Sequence, residues 1–343
     1  MSKLVVVIGI TGVQGGSVTD SFLADTNWRV RGITRDPSKP AAQEWAARGV
    51  ELVAADLDDV ESLKRAFTGA QAIFAMTDYW APILDPSVRA AAAARGIGAS
   101  QICAELETQR GKNMAIAAAA PGVQRTLERF IYSGLASFTK LSGGKYTKAW
   151  HFDSKAAVEE FVHDDPEMVS AGLSGKSSFI HVGIYTDNWR RSPLEIVKDP
   201  ESDGYYRVQM SDGRDKVPFI WARRDTGPLV KKLVEDVKPG ITLLGVSQIA
   251  SHREYLNIWA RTVGKKLAGD EGIKQISAEE YVKKVGGDED QKEHILETWK
   301  SGEEFGYDGD DVLHPKDIGA EHLLTSIEEY MQWEDWSSVL DRD

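Results

Sequence analysis

Glycines at positions 9, 12 and 15 follow an unbroken apolar run, Leu4-Val-Val-Val-Ile8 leading into Gly9-Ile-Thr11-Gly12-Val13-Gln14-Gly15. Such a run suits a parallel strand buried on both faces. The glycines suit a tight turn against a bulky anion. Gly9 lets the chain turn sharply out of the strand. Gly12 has no Cβ to keep the backbone from a pyrophosphate, and Gly15 lets the following helix pack close to the sheet. The phosphates would sit at that helix N-terminus, where unpaired N–H groups and the macrodipole favour negative charge. A strand before and a helix after are the context that gives a glycine motif meaning. Thr11, Val13 and Gln14 complete the turn and are expected to touch the dinucleotide with it.

The next strand, Trp28–Ile33, is followed by Thr34, Arg35 and Asp36. An acid at the end of this strand would accept hydrogen bonds from a ribose 2′-OH and repel a 2′-phosphate. A hydroxyl and a guanidinium suit the phosphate instead, which arginine grips with a forked pair of donors. The sequence therefore favours NADP(H), with NAD(H) as the alternative. Asp36 argues the other way, one or two positions beyond the usual acid. A solvated surface charge is the plainer reading of Arg35.

These residues need a frame, and strand and helix signals alternate through the first half of the chain. Helices are expected over Gly16–Ala24, Pro40–Arg48, from Asp58 or Asp59 to Phe67, Glu105–Ala120 and Trp150–His163. Strands are expected at Val50–Ala55, Ala72–Met76, Phe130–Ser133 and Ser178–Val182. The pattern predicts an α/β, Rossmann-type, doubly wound and mostly parallel sheet with a smaller mixed C-terminal lobe. We expect residues 1–190 to form the nucleotide-binding domain, joined by segments near 215–250. Residues 191–343 would form the smaller lobe. Ligands bind beyond the carboxyl ends of such strands. That nominates Asp56 and Leu57 near the adenine, and Met76, Thr77, Asp78, Tyr79 and Trp80 near the middle of the cofactor. Tyr132, Ser133, Tyr185 and Asn188 would lie further along. Ordinary packing is the other reading of Tyr79 and Trp80. The connection 78–104 is long enough for a lid or a partner-binding element, with room for a short helix over Arg89–Arg95 and with Gly96 and Gly98 as bends.

Beyond residue 190 the alternation is irregular. Pro200–Gly213 reads as polar and turn-rich, Asp225–Val237 as helix, Ile241–Val246 as strand. Ser277–Lys284 and Ser326–Trp333 read as helices, and Asp308-Gly-Asp-Asp311 as a solvated turn.

The chain has 343 residues, 42% apolar, and a formal charge of −12. That balance supplies no basic face for nucleic acid. No apolar stretch approaches the ~20 residues of a membrane span. Met1-Ser-Lys leads straight into the first strand, which leaves no room for a targeting peptide. The single Cys103 fits a reducing compartment and a small buried side chain. The expected setting is the cytoplasm, with the nucleus as an alternative. The histidines at 163, 181, 252, 294, 314 and 322 lack metal-ligand spacing, so no metal is expected.

Trp150–His163 carries His151-Phe-Asp-Ser-Lys155, which puts His151 and Lys155 on one helix face. Short-chain dehydrogenases carry Tyr-x-x-x-Lys on the equivalent helix. Their lysine holds the nicotinamide ribose and lowers the tyrosine pKa. Here histidine stands at the tyrosine position. Together with Gly9-x-Thr-Gly12-x-Gln-Gly15, Thr34-Arg35-Asp-Pro37, Ala55-Asp-Leu-Asp-Asp59, Thr77-Asp-Tyr-Trp80, Gly111-Lys-Asn113 and Tyr132-Ser-Gly134, this motif resembles the NmrA-like family. That family is an atypical branch of the short-chain dehydrogenase superfamily. The tail Asp335-Trp-Ser-Ser-Val-Leu340 resembles its fungal members. The resemblance implies a dinucleotide site and one of two functions. One is reduction of a small organic carbonyl, enone, imine or quinone. The other is redox sensing through a protein partner such as a transcription factor. It implies Lys155, His151 and Ser133 as catalytic candidates, with Lys155 also holding the cofactor, in a monomer or homodimer. Hydride transfer to a carbonyl needs a proton donor near the developing alkoxide. His151 titrates in the right range, but Lys155 beside it would lower its pKa by like-charge repulsion. Lys155 itself is the other donor, as in related isoflavone-reductase-like enzymes. Packing beside the nicotinamide without chemistry is the remaining reading of His151.

Overall fold

The computed structural model describes residues 2–269, 271–309 and 311–341. Met1, which opens the chain, and Asp310, within the expected acidic turn, lie outside the described residues. Seven parallel strands form the main sheet: β1 Lys3–Ile8, β2 Trp28–Thr34, β3 Glu51–Ala54, β4 Ala72–Ala75, β5 Arg129–Gly134, β6 Ser177–Val182 and β7 Thr242–Gly245. Their order is β7-β6-β5-β4-β1-β2-β3. The chain thus builds outward in one direction from β1 and then in the other from β4. Between β1 and β4 lies the switch point, whose carboxyl end is where open sheets of this kind bind ligands.

The pleat of β1 shows why its apolar run is continuous. Leu4, Val6 and Ile8 point to one face, and Val5 and Val7 to the other. The first face is covered by α3 (Val60–Phe67), α5 (Ala99–Ala119) and α6 (Trp150–Asp164), through Leu63, Phe67, Met114, Ala118, Val158 and Val162. The second is covered by α1 (Val13–Leu23), α2 (Pro40–Ala47) and α7 (Ala222–Glu235), through Val18, Phe22, Trp45, Leu229 and Leu233. The doubly wound α/β reading of the sequence therefore holds.

Three segments differ from expectation. The connection 78–104 is folded, and it contains the short helix that Arg89–Arg95 suggests. This is helix α4 (Pro86–Arg95), and α5 begins at Ala99, six residues before the expected start. Gly96 ends α4 in the left-handed region at φ +65°, and Gly98 precedes α5. Ile83, Val88, Ala92, Ile102 and Cys103 pack together beneath it with Tyr79. Next, Pro200–Gly213 contains the strand Gly204–Gln209, which pairs with short strands at Val197–Lys198, Lys266–Leu267 and Ile273–Gln275. Its β-forming residues were masked by flanking turn residues. Finally, the sequence reading did not find α8 (His252–Val263), or α10 (Glu289–Phe305), which follows α9 (Ala278–Val285). The acidic cluster Asp288-Glu-Asp290 is the start of α10, with Asp288 and Gln291 forming a capping box.

The second lobe has its own core. Trp189, Phe219, Tyr255, Trp259, Ile327, Tyr330 and Trp336 pack between α8, α11 (Ile327–Trp333) and the sheet formed by Ile184–Tyr185, Lys216–Ile220 and Gln248–Ser251. Strand β7 and helix α7, by contrast, belong to the layers of the main sheet. Among the described residues, no helix is long and apolar enough to cross a membrane.

Candidate functional site

The crevice is built first by the glycine turn. Gly9 has φ +72°, and a Cβ there would meet the Met76 sulfur at 2.8 Å. A Cβ on Gly15 would lie 2.2 Å from the Gly9 carbonyl oxygen and 2.9 Å from that of Ile8, so helix α1 leaves the sheet at a distance that excludes any side chain. The Gly12 N–H donates to the Gly9 carbonyl at 2.8 Å. Gly12 itself is extended and gives α1 no side-chain cap. Thr11 and Gly12 are exposed, and the Gln14 side chain turns away. The turn is therefore open, with free donors at a helix N-terminus, and it fits a pyrophosphate.

At the end of β2, Arg35 is exposed. The Asp36 carboxylate accepts from the Ser38 N–H at 2.9 Å and from its hydroxyl at 2.6 Å. Those bonds hold its pKa below the usual range. Asp36 is thus turned into its own loop, and Arg35 is the charge presented at the strand end. The Asp56 carboxylate likewise caps the Asp58 N–H at 3.0 Å. The Leu57 carbonyl accepts from Asn113 Nδ2 at 2.8 Å.

Gln14 joins three of the expected site residues. Its Oε1 accepts from Ser133 Oγ at 2.7 Å, and its Nε2 donates to Tyr185 Oη at 2.8 Å. Ser133 spends its proton on Gln14, whereas Tyr185 keeps its own to donate. Burial holds the Tyr185 phenol above its ordinary pKa. Asn188 lies in the helical turn after Tyr185, where its carbonyl accepts from Arg191.

Lys155 is held from the far side. Its ammonium forms an ion pair with Glu107, whose side chain is fully buried. Ser154 Oγ donates to the same carboxylate. Lys155 Nζ lies 3.4 Å from Thr77 Oγ1, which is 3.2 Å from Tyr132 Oη. The sequence reading missed Glu107. The signal was present: Glu107 sits four residues after Cys103 and four before Gly111, on the buried row of α5. An acid on an apolar row needs a partner.

His151 meets a second missed residue. Its Nδ1 is 3.1 Å from His294 Nε2, on α10. His294 Nδ1 lies 2.8 Å from the Lys148 carbonyl and accepts from the Trp150 N–H at 3.1 Å. Burial, His294 and Lys155 together pull the His151 pKa well below its ordinary value. A ring held neutral in this way is a poor acid. The rings of Tyr79, Trp80, His151 and His294 pack with centroids 5.0–5.7 Å apart for Tyr79–Trp80, Tyr79–His151, Tyr79–His294, Trp80–His151 and Trp80–His294.

Two expected contacts turn inward. Tyr79 is 1% exposed and donates to the Ser100 carbonyl at 3.0 Å. It belongs to the α4–α5 core rather than the open crevice. Tyr132 is fully buried, with only its hydroxyl reaching Thr77. Asp78 is exposed and caps the Trp80 and Ala81 N–H groups. Among the described residues there is no grouping of His, Cys, Asp and Glu able to hold a metal.

The expected solvated turn at Asp308 is corrected. The Asp308 side chain is 6% exposed, and its carboxylate contacts His181 Nδ1 at 2.8 Å. Glu159 contacts His181 Nε2 at 2.7 Å. The two carboxylates overcome burial and push His181 up to about 10. The folded state thus holds a proton that the unfolded chain releases near pH 6.5. Stability from this triad is full below that pH and lost as pH rises towards about 10. Chemical denaturation across that window should show the decline, and His181→Gln should flatten it. A cavity of about 380 Å³ lies beside the triad. Another of about 690 Å³ lies at the amino ends of β1, β2 and β5. Lys155, His151 and Gln14 line neither of them.

The model of the NmrA-like family matches residues 1–337. An NmrA-like family domain-containing oxidoreductase, hkm9 of Aspergillus hancockii, is 29% identical over 275 residues, covering 77% of this chain and 74% of its own length. The negative transcriptional regulator Nmra, solved with NADP, superposes with a TM-score of 0.71 at 20% identity, covering 99% of this chain and 97% of that one. Citrobacter sp. triphenylmethane reductase complexed with NADP(H) gives 0.65 at 20% identity, covering 96% and 99%.

Proposed function

The chain belongs to the NmrA-like family, and we propose that it is an NADPH-dependent reductase of a small organic carbonyl, enone, imine or quinone. The observation that carries this reading is the ion pair of Lys155 with buried Glu107 beside the carboxyl ends of β4 and β5. A site that only bound a nucleotide would gain little from burying a carboxylate to fix one ammonium, since such pairs cost desolvation. The fungal relative's name as an oxidoreductase and the NADP(H) complex of the reductase neighbour support the same reading.

NADP(H) is the cofactor we infer, with NAD(H) as the weaker ligand. The N–H groups at the start of α1, just after Gly12, would hold its pyrophosphate, and Arg35 its 2′-phosphate. When bound, it supplies hydride from the nicotinamide. Lys155 offsets negative charge developing on the substrate oxygen or nitrogen and donates the proton there. Glu107 fixes where that ammonium stands. Gln14 orients Ser133 and Tyr185, and the Tyr185 hydroxyl can donate a hydrogen bond to the substrate. His151 shapes the wall as a neutral ring.

The test is NADPH oxidation against ketones, enones, imines and quinones, with saturable turnover of one class expected. Silence across the panel with tight NADPH binding would assign a nucleotide sensor acting through a protein partner. Arg35→Asp should shift the ratio of NADP(H) to NAD(H) dissociation constants by about 10–100-fold towards NAD(H), the worth of one charge-assisted contact. An unchanged ratio in calorimetric titration refutes the phosphate assignment.

A further inference from the structure

Arg207 lies in the middle of the strand Gly204–Gln209, far along the chain from the crevice residues, and is 3% exposed. Among the described residues no carboxylate pairs with it. Its guanidinium lies over the Tyr255 ring at 4.8 Å, and its Nη1 is 3.4 Å from His252 Nδ1. Its Nε has no hydrogen-bond partner. The contrast with Arg253 is direct. That arginine is equally buried, and it pairs with Glu271 at 3.0 Å and donates to the Asp212 carbonyl at 2.6 Å. A buried cation without a counter-ion is costly, because desolvation is not offset.

The surroundings extend the pattern. Gln209, two residues on and therefore on the same face of the strand, is 6% exposed, and its Nε2 also lacks a partner. His252 supplies no negative charge: burial and Arg207 hold it down at about 3, so it is a neutral ring. Tyr281, from α9, also adjoins Arg207 and is itself held above its ordinary pKa by burial. Tyr255 donates to the Thr186 carbonyl at 2.7 Å, immediately after Tyr185 of the Gln14 bridge.

We propose that Arg207 and Gln209 form an anion-binding site in the second lobe that takes the carboxylate of a small organic acid. An arginine fork and an amide N–H match the two oxygens of a carboxylate. One unpaired cation balances a monoanion and leaves a phosphate dianion half-compensated. The flanking Tyr255, Tyr281, His252 and Phe219 rings suit an apolar or planar body on that acid. The site stands independently of the reductase reading, because binding can be read without turnover.

The experiment titrates formate, acetate, benzoate and cinnamate, with methyl cinnamate and inorganic phosphate as controls, into the full chain without NADPH. Wild type, Arg207→Met and Arg207→Lys are compared by calorimetry and thermal unfolding. At least one carboxylate should bind saturably, at least tenfold more tightly than the ester or phosphate. Arg207→Met should lose that binding by at least tenfold, and Arg207→Lys should fall between. Without ligand, Arg207→Met should melt no lower than wild type, since it removes an uncompensated buried charge. No carboxylate binding, equal binding of the ester or of phosphate, or binding retained in Arg207→Met would each overturn the proposal. So would a lowered melting temperature in Arg207→Met without any carboxylate-dependent shift in wild type, which marks a structural role.

Discussion

Lys155→Met should cost about 3–5 kcal/mol of stability, the usual result of removing one partner from a buried ion pair. The reason lies in Glu107. Its side chain is fully buried, and its named partners are the Lys155 ammonium and the Ser154 hydroxyl. Without Lys155 the carboxylate must take up a proton, draw in water or move the helix that carries it. Each costs free energy, whereas Lys155 itself is partly exposed and loses little. The double variant Lys155→Met with Glu107→Gln should therefore recover much of the loss, since a neutral amide can still accept from Ser154. Denaturant midpoints of the three proteins measure this. A loss under about 1 kcal/mol would place the pair in the class of solvent-screened bridges, and the argument that Lys155 is rigidly positioned would fall with it. Turnover supplies the second readout. On whichever substrate the panel identifies, the same variant should slow by about 10²–10⁴-fold, the contribution typical of a positioned acid. Turnover kept with only affinity lost would leave Lys155 a binding residue.

The elements that position this pair were legible for unequal reasons. Strand β1 and its glycines are visible because burial on both faces forces an unbroken apolar run, and the turn tolerates no side chain at Gly15. The 3.6-residue period likewise gave α6, and with it the common face of His151 and Lys155. Glu107 and His294 escaped because each is a polar residue paired across more than forty positions of sequence, a relation that local periodicity does not encode. The strand Gly204–Gln209 escaped for a different reason. Its partners are two- and three-residue strands, two of them contributed by segments about sixty residues later, so tertiary pairing rather than local pattern defines it. Asp308 read as a solvated turn because its sequence neighbours are glycine and acid. Its side chain is buried by His181, far away in the chain.

Gly15→Ala should remove NADP(H) binding by more than about 100-fold, equivalent to about 3 kcal/mol, and destabilise the fold by about 1–3 kcal/mol. The added methyl would stand 2.2 Å from the Gly9 carbonyl oxygen and 2.5 Å from its carbon, both main-chain atoms that no rotamer change can move aside. Helix α1 must lift away from β1, and the N–H groups at its start leave the position proposed for the pyrophosphate. Gly12→Ala separates the two effects. Its Cβ would meet the Gly9 oxygen at 3.2 Å, a contact relieved by a shift of a few tenths of an ångström, and the position is exposed. That variant should fold with nearly the midpoint of wild type and still bind NADP(H) at least tenfold more weakly, because the methyl occupies the path by which the backbone approaches the phosphates. Denaturation and calorimetry on the same preparations read both quantities. A Gly12→Ala protein with unchanged NADP(H) affinity would mean that the dinucleotide does not lie against this turn, and the roles inferred for Arg35 and Lys155 would lose the frame that relates them.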